Sequence, residues 1–178
     1  MLNQSINIKI FLIGMMGSGK TSVGMTLSRI MGLPFIDTDE LIGCSTYFDD
    51  HSIADFRKEE AKQIDKINID NNNSIISVGG GAILNRNNRE VMSQYKCIFL
   101  KASIKNLLKR IKNQKINRPL LPLSDKGEIS EKEFIDLYKK REQYYIDLAD
   151  FTINTNHLSI LNVSMVISEK LLGYEIIN

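Results

Sequence analysis

The sequence is poor in the residues that build several kinds of functional site. Only two cysteines and two histidines occur among 178 residues, and there is no tryptophan. Cys44 and Cys97 have neither metal-ligand spacing nor a CxxC arrangement, so they are expected to be free thiols in a reducing cytoplasm. His51 and His157 stand alone, which leaves a zinc site or a Ser-His-Asp triad without support. No apolar run approaches the length that spans a membrane.

Proline is also scarce, with three residues, and the chain has no low-complexity tract and no internal repeat. These absences predict a single domain over residues 1–178, without linkers. Residues 1–5 lack the basic-then-apolar build of a signal peptide, so a cytoplasmic protein without membrane association is expected. A hydrophobic content of 43% and a charged content of 25% are those of an ordinary globular protein.

A net charge of +2 hides an uneven distribution of charge. Seven basic residues and no acid lie between residues 101 and 118. Such a run is usually a solvated helix face, although it could also bind nucleic acid or cover a triphosphate. No aromatic residue interleaves with the charges, as a platform for single strands requires, so nucleic acid is not the expected partner. Most of the lysines are expected to be solvated, and Arg110 and Arg118 to be functional.

Short apolar segments alternate with helical patterns along the chain. The predicted strands are 8–13, 34–37, 75–78, 97–100 and 151–154. Ser103 is expected to cap one helix, and Ser130 with Glu133 has the pattern of a capping box before another. The alternation predicts a three-layer α/β/α fold around a five-stranded parallel sheet, in which ligands bind outside the carboxyl ends of the strands. Residues 112–127 show no clear periodicity and are interpreted as a mobile lid.

Residues 14–21, Gly-Met-Met-Gly-Ser-Gly-Lys-Thr, match the pattern G-x-x-x-x-G-K-[ST] between a predicted strand and a predicted helix. In that setting backbone N–H groups surround phosphate oxygens at a helix N-terminus. Lys20 is expected to reach the β- and γ-phosphates and Thr21 to ligate Mg²⁺. An ordinary glycine-rich turn is the alternative. The nucleoside triphosphate contacts are assigned to Gly14, Gly17, Ser18, Gly19, Lys20, Thr21 and Ser22.

The next two predicted strands also end in residues suited to a ligand. Asp37 and Asp39 point the same way if the chain is extended, so one could bind Mg²⁺ through water and the other could accept a hydrogen bond from a substrate hydroxyl. A turn followed by a helix N-cap is the alternative. Gly79, Gly80 and Gly81 suggest close approach of the backbone to a ligand, with a flexible turn as the alternative.

Two arginines lie on helix faces that are expected to point inward. One stripe consists of Ile53, Arg57, Glu60, Ile64 and Ile67. The other consists of Phe134, Leu137, Tyr138, Arg141, Tyr145 and Leu148. A buried arginine is costly unless it is paired or meets an anion. Glu60 can orient Arg57, and a purely structural ion pair is the alternative there. Two inward arginines suit bidentate capture of a substrate carboxylate.

Together these features resemble the shikimate kinases, small P-loop kinases similar in fold to the nucleoside monophosphate kinases. In chain order they are residues 14–21, Asp37-Thr38-Asp39, Phe56-Arg57-x-x-Glu60, Gly79-Gly80-Gly81, Arg118-Pro119-Leu120-Leu121, and Arg141 with Tyr145. The resemblance implies transfer of the ATP γ-phosphate to the 3-hydroxyl of shikimate, a step towards the aromatic amino acids. It also implies that the protein is a monomer and that its partner is this small molecule.

The resemblance further implies roles on the nucleotide side of the site. Lys20 would be catalytic, together with Arg118, which approaches the phosphates from the lid. Thr21 and Asp37 would hold Mg²⁺. Arg110 would pack on adenine. His157 stands where an adenine-stacking arginine is common in the family, and a surface loop histidine is the alternative.

On the substrate side, Asp39 would bind the shikimate hydroxyls and polarise the attacking one, as the third catalytic residue. Arg57 and Arg141 would bind the carboxylate, and glycines 79–81 would line the ring. The substrate-side segment, residues 38–67, departs from the family: it is shorter than usual, and the Gly-Glu pair that precedes Phe-Arg is absent. Two alternatives therefore stay open, a related kinase of the gluconate type and a non-catalytic P-loop module that binds nucleotide.

Overall fold

The computed structural model of the protein describes residues 8–113, 120–124 and 127–173. Within these ranges the strands are β1 (Lys9–Ile13), β2 (Phe35–Asp37), β3 (Ser74–Ser77), β4 (Lys96–Lys101) and β5 (Phe151–Asn154). The helices are α1 (Lys20–Met31), α2 (Thr38–Ile42), α3 (Cys44–Tyr47), α4 (Ile53–Ile69), α5 (Arg86–Met92), α6 (Ile104–Lys112), α7 (Glu131–Leu148) and α8 (Ile160–Leu171). A short 3₁₀ helix covers Ala82–Leu84.

The five strands form one parallel sheet in the order β2-β3-β1-β4-β5. β1 lies at its centre, with Phe11 opposite Ile76 of β3 on one side and opposite Cys97 of β4 on the other. All five residues of β1 are buried, as expected where helices cover both faces of a parallel sheet. The predicted strand set and the parallel arrangement are confirmed, with ends that differ by one residue from several of the predicted ones.

The core is divided by the alternation of side chains along β1. Phe11 and Ile13 point to the face that packs against α4, α5 and α7, where Ile64, Met92 and Tyr145 are buried. The intervening residues of β1 point to the opposite face, which packs against α1 and α8. The result is the predicted three-layer α/β/α fold, and it places the carboxyl ends of the strands along one edge of the molecule.

The helix ends confirm one capping prediction and correct another. The Ser103 side chain accepts a hydrogen bond from the Asn106 N–H, as predicted for the start of α6. Ser130 is the N-cap of α7, but its side chain makes no capping hydrogen bond. The predicted capping box is therefore wrong. The backbone N–H of Ser130, which Glu133 would have to engage, already donates to the Pro122 carbonyl at 2.9 Å.

The predicted lid, residues 112–127, is only partly described. Its first residue, Lys112, is still helical, because α6 runs to that point. Further on, Leu123 and Ile129 form an antiparallel bridge, and Ser124 N–H donates to Glu128 O at 2.7 Å. Residues 114–119, Arg118 among them, lie outside the described residues. None of the described helices is long and apolar enough to cross a membrane.

Candidate active site

The glycine loop between β1 and α1 is built for close packing of its backbone. Gly14 has φ 143°, and a Cβ there would lie 2.7 Å from the Leu100 carbonyl oxygen of neighbouring β4. Gly17 and Gly19 also have positive φ. The Lys20 ammonium, on the first residue of α1, donates to the Gly14 and Met15 carbonyls at 2.9 and 3.3 Å. The loop thus curls around its lysine at a helix N-terminus, which is the geometry of a phosphate site.

Ser18 carries a polar atom at the centre of this loop. The residue is 1% exposed, and within the described part of the chain its hydroxyl finds no hydrogen-bond partner. A buried hydroxyl without a partner is costly unless a ligand satisfies it. Its backbone N–H donates to the Met15 carbonyl at 3.1 Å. The hydroxyl therefore fits an anionic ligand bound by the loop.

Thr21 and Asp37 join the loop to the end of β2. The Thr21 hydroxyl donates to Asp37 Oδ2 at 2.7 Å, and Asp37 is 8% exposed. Asp37 Oδ1 accepts from the Asp39 N–H at 3.0 Å, so the same side chain is the N-cap of α2. A hydroxyl and a carboxylate oxygen side by side are ligands of the kind that Mg²⁺ takes. Of the described residues, no three His, Cys, Asp or Glu are grouped as a self-contained metal site.

The expectation that Asp37 and Asp39 form an extended pair is wrong. Asp37 ends β2, but α2 begins at Thr38, so Asp39 lies in a helix. Asp37 is the N-cap of α2, as the alternative interpretation predicted, and it also accepts from the Thr21 hydroxyl. Binding of Mg²⁺ by Asp37 stays a prediction. Asp39 nevertheless reaches the ligand region by another route, because its Oδ1 lies 2.7 Å from where a Cβ of Gly79 would be.

One cavity of about 530 Å³ joins the predicted phosphate loop to the predicted substrate residues. Of the predicted residues, those that line it are Gly17, Gly19, Lys20, Thr21, Ser22, Asp37, Asp39, Arg57, Gly79, Gly80, Gly81 and Arg141. Gly14 and Ser18 are buried within the loop beside it. Arg110 and His157 are not part of its lining. The structure therefore brings together residues that are more than 120 positions apart in the sequence, such as Gly17 and Arg141.

Arg57 and Glu60 form an ion pair in the cavity wall. Arg57 Nη1 donates to Glu60 Oε2 at 2.7 Å, with side-chain exposures of 26% and 0%. Burial raises the pKa of Glu60 to about 7, and the positive charge of Arg57 only partly opposes this rise. The prediction that Ile53 belongs to the inward-facing stripe of α4 is wrong. Ile53 is 58% exposed, because it lies at the first residue of the helix, and the buried face begins only at Phe56.

Arg141 lies deep in the same wall and is 5% exposed. Its Nη1 contacts the Met15 sulfur at 3.8 Å, and its Nε has no hydrogen-bond partner among the residues described. Burial lowers the pKa of this guanidinium, and its interaction with Tyr145 partly offsets that decrease. A buried cation with a vacant donor is the arrangement that an anionic ligand would satisfy.

Glycines 79–81 are held rather than flexible. The Gly79 N–H donates to the Thr38 hydroxyl at 3.2 Å, and the Tyr145 hydroxyl donates to the Gly80 carbonyl at 2.5 Å. A Cβ on Gly79 would lie 2.5 Å from Glu60 Oε1, and one on Gly81 would lie 2.6 Å from the Arg57 Cζ. Gly79 and Gly81 are needed here because neighbouring side chains approach the backbone closely, which explains the sequence better than a flexible turn does.

Arg110 lies beside the glycine loop and away from the cavity. Its guanidinium donates to the side chain and the carbonyl of Thr155 at 3.0 and 2.5 Å, and contacts the Gly17 carbonyl at 3.5 Å. His157 is exposed in the bend just after β5, two residues beyond Thr155. The rest of the basic run behaves as an ordinary surface where its contacts are described. Lys101 pairs with Glu142 at 2.9 Å and Lys112 with Glu131 at 3.1 Å.

Sequence reasoning missed the contacts by which three residues position this site. Thr38 fixes Gly79, Thr155 fixes Arg110, and the Tyr145 hydroxyl fixes Gly80. Thr38 lies between Asp37 and Asp39, which were predicted to bind ligands. Its position at the end of a strand was the signal that could have indicated a role in the site. Thr155 offered the weaker signal of a polar residue directly after β5. Cys44 and Phe56 also line the cavity and were not predicted as site residues.

The family model for shikimate kinase matches residues 16–172 of this chain. Among curated relatives, a shikimate kinase of Bordetella avium (strain 197N) is 35% identical over 177 residues, which cover 95% of this chain and 81% of the relative. Among solved structures, a shikimate kinase from Acinetobacter baumannii in complex with shikimate superposes with a TM-score of 0.84 at 29% identity, over 96% of each chain.

Likeness to other kinases extends to the fold alone. A gluconokinase from Sinorhizobium meliloti 1021 superposes with a TM-score of 0.55 at 15% identity, over 94% of this chain and 97% of that one. The match is far weaker than that to the shikimate kinases in both identity and superposition. This match indicates a shared P-loop fold and gives no support for gluconate as the substrate. The chain belongs to the shikimate kinase family.

Proposed function

We propose that this protein is a kinase that transfers the γ-phosphoryl group of ATP to the 3-hydroxyl of shikimate. The observation that supports this most directly is the single cavity shared by the glycine loop and two arginines of the substrate side. Phosphoryl transfer requires mainly positioning and neutralisation of charge, and a shared cavity allows donor and acceptor to meet. Membership of the shikimate kinase family supplies the substrate class and ATP as the phosphoryl donor.

On the acceptor side, the carboxylate of shikimate would bind Arg57 and Arg141. Arg141 is buried with an unpartnered Nε in the described structure, and Arg57 is fixed by Glu60. Asp39 would accept a hydrogen bond from the attacking hydroxyl and polarise it, which places a general base beside the reacting oxygen. Glycines 79–81 would let the ring approach the backbone, and a side chain on Gly79 or Gly81 would collide with Asp39, Glu60 or Arg57.

On the phosphate side, the loop N–H groups, the Ser18 hydroxyl and Lys20 would bind the triphosphate. Thr21 and Asp37 fit Mg²⁺, because their oxygens lie 2.7 Å apart at the cavity edge. When bound, Mg²⁺ would neutralise charge on the β- and γ-phosphates. Lys20 lies at the N-terminus of α1, where it adds its charge to the helix dipole and stabilises the negative charge that develops on the γ-phosphoryl group.

Two further arginines complete the proposed nucleotide site. Arg110, held by Thr155, would pack on adenine, and the exposed His157 would stack nearby. Arg118 lies outside the described residues and is proposed from the sequence alone as the lid arginine that approaches the phosphates. A lid that closes over the phosphates would keep water from accepting the phosphoryl group.

The short stretch between Asp39 and Arg57 still forms a wall of the cavity. Phe56 packs against Tyr47 and Phe48, with ring centroids 5.6 and 5.0 Å apart. Because Phe56 lines the cavity, these aromatic contacts hold the shortened segment against the substrate side. The segment therefore keeps a wall of the cavity where the family has a longer stretch.

The same proposal includes a monomer in the cytoplasm that acts without nucleic acid or membrane partners. The described part of the basic run supports the absence of nucleic acid, because two of its lysines pair with glutamates.

Identification of the product tests this function. The protein is incubated with ATP, MgCl₂ and shikimate, and the product is assigned by phosphorus–proton NMR coupling. A phosphate coupled to the proton at C3 is expected. Asp39→Asn should abolish turnover while nucleotide binding persists, whereas Asp65→Asn, on the exposed side of α4, should leave turnover unchanged. Phosphate on another hydroxyl would refute the assigned regiochemistry, and retained turnover in Asp39→Asn would refute the role of Asp39.

A further inference from the structure

The charges in the acceptor wall do not balance once an anionic substrate arrives. Facing Glu60 in this wall are two cations, Arg57 and Arg141, and a second carboxyl group, Asp39. With both carboxyl groups ionised this set of four is neutral, so a substrate carboxylate would give it a net negative charge beside Glu60 and Arg141, which are buried. Burial of a net charge is costly, and a titratable group that can change its proton occupancy relieves that cost.

Glu60 is the member of this set that is placed to change its charge. Its side chain is 0% exposed, and only Oε2 is engaged, by Arg57 at 2.7 Å. Oε1 is buried and, among the described residues, has no hydrogen-bond partner. A point where a Cβ of Gly79 would stand lies 2.5 Å from Oε1 and 2.7 Å from Asp39 Oδ1, so the two carboxyl groups crowd against the same glycine.

We infer that Glu60 takes up a proton when the acceptor binds. The proton comes from solvent and forms an O–H bond on the Glu60 carboxylate as the substrate carboxylate settles against Arg57 and Arg141. Glu60 thereby returns the set to neutrality and relieves its repulsion with Asp39 and with the substrate. This inference rests on the proposed function, because it assumes that the acceptor carries a carboxylate that binds these two arginines.

The charged groups around Glu60 determine the pH range in which substrate binding takes up a proton. Arg57 on α4 and Arg141 on α7 favour the ionised form, whereas burial, Asp39 on α2 and the substrate carboxylate disfavour it. Tyr145 on α7 also faces this cluster, with its pKa raised by burial. Because burial raises the pKa of free Glu60 to about 7, the group is largely protonated below that pH, and binding then takes up little. Above it, binding must draw a proton, so affinity falls as pH rises, by up to about tenfold per pH unit.

Calorimetry of shikimate binding, without nucleotide, tests the inference directly. Binding enthalpies are measured in pairs of buffers with low and high ionisation enthalpy, from about pH 5.5 to about pH 8.5, and their difference gives the number of protons taken up. The wild-type protein should take up almost none at the acid end and more than half a proton above pH 8. Glu60→Gln, which imitates the neutral form, should bind with no buffer dependence and with an affinity that stays flat over the range.

Two controls separate the possible outcomes. Glu59→Gln, which changes a carboxyl group on the more exposed side of the same helix, should keep the wild-type proton uptake. The methyl ester of shikimate has the same ring hydroxyls but no charge, so its binding to the wild-type protein should take up no proton. This control uses only the wild-type protein and therefore does not depend on whether Glu60→Gln folds. Shikimate binding without buffer dependence, or with equal dependence in a folded Glu60→Gln variant, would overturn the inference alone. Failure of shikimate to bind the wild-type protein would overturn the proposed function.

Discussion

The Tyr145 hydroxyl donates to the Gly80 carbonyl at 2.5 Å, across 65 residues of sequence. Tyr145 follows Arg141 by four residues on α7 and is stacked on Phe99 of the central sheet, with ring centroids 5.0 Å apart. The same tyrosine therefore connects the buried arginine's helix to the glycine turn at the end of β3. Because its ring is fixed by the core, the turn is positioned by packing as well as by its own backbone.

Removal of that hydroxyl should loosen the substrate side of the site. We expect Tyr145→Phe to lose about 1–2 kcal/mol of unfolding free energy, because a buried hydrogen bond disappears while the ring still packs. The KM for shikimate should rise more than the KM for ATP, since the glycine turn lies beside Asp39, Glu60 and Arg57 of the proposed acceptor site. Urea unfolding and initial rates measure both effects. Tyr144→Phe, on the exposed neighbour, is the control. Equal changes in the two KM values would contradict this assignment.

Glu60 should make the stability of the folded protein depend on pH. Its pKa is raised by burial from 4.5 to about 7, so the contribution to stability is fully present below about pH 4.5 and is lost as pH rises through 7. Between about pH 4.5 and pH 8 the wild-type protein should lose ~3 kcal/mol of unfolding free energy relative to Glu60→Gln. Urea unfolding of both proteins at the two ends of this range checks the difference. Parallel stability curves would show that Glu60 has an ordinary pKa.

Asp37→Asn should weaken the dependence on Mg²⁺ without removing the fold. Asparagine keeps one oxygen, which can accept from the Asp39 N–H at the N-cap of α2, but an NH₂ group replaces the oxygen that faces the Thr21 hydroxyl, and the negative charge is lost. The Mg²⁺ concentration that gives half-maximal rate should rise about tenfold or more, because a charged oxygen ligand is lost. Titration of MgCl₂ at fixed ATP and shikimate measures it. Asp136→Asn, an exposed carboxyl on α7, should behave as wild type, and an unchanged Mg²⁺ titration in Asp37→Asn would exclude this carboxylate from the metal site.

Thr155→Val should act on the nucleotide alone. The buried Thr155 side chain accepts from Arg110 at 3.0 Å and donates to the Lys101 carbonyl at 3.2 Å, and valine has the same shape without the oxygen. With Arg110 less restrained, the KM for ATP should rise by about fivefold to tenfold, which corresponds to about 1 kcal/mol, because Arg110 keeps its hydrogen bond to the Thr155 carbonyl; the KM for shikimate should stay constant. Initial rates over both substrates decide this, with Thr152→Val on the exposed face of β5 as the control. A rise confined to shikimate would place Arg110 outside the nucleotide site.

The fold could be predicted because its signals are local. Apolar strands, helix periodicity and the glycine pattern each lie within a few neighbouring residues, and the parallel arrangement follows from their alternation. The inward placement of Arg141 could be predicted in the same way, from its position in an apolar helical stripe. Ile53 shows the limit of that reasoning, because periodicity does not tell where a helix emerges from the core.

The contacts that hold the site could not be predicted, because they join distant parts of the chain. Thr38 with Gly79, and Arg110 with Thr155, are 41 and 45 residues apart, and no local pattern pairs them. The geometry of Asp37 and Asp39 was missed for a different reason. A helix that begins between them changes the direction of the second side chain, and a three-residue strand gives little warning of where it ends.

Whether this chain phosphorylates shikimate is decided by measuring ADP release from Mg-ATP with different acceptors. Shikimate, gluconate, nucleoside monophosphates and no acceptor are compared under the same conditions. We expect rapid release with shikimate alone and background release with every other mixture. Release with shikimate that does not exceed the rate without acceptor would contradict this expectation, as would a faster rate with gluconate.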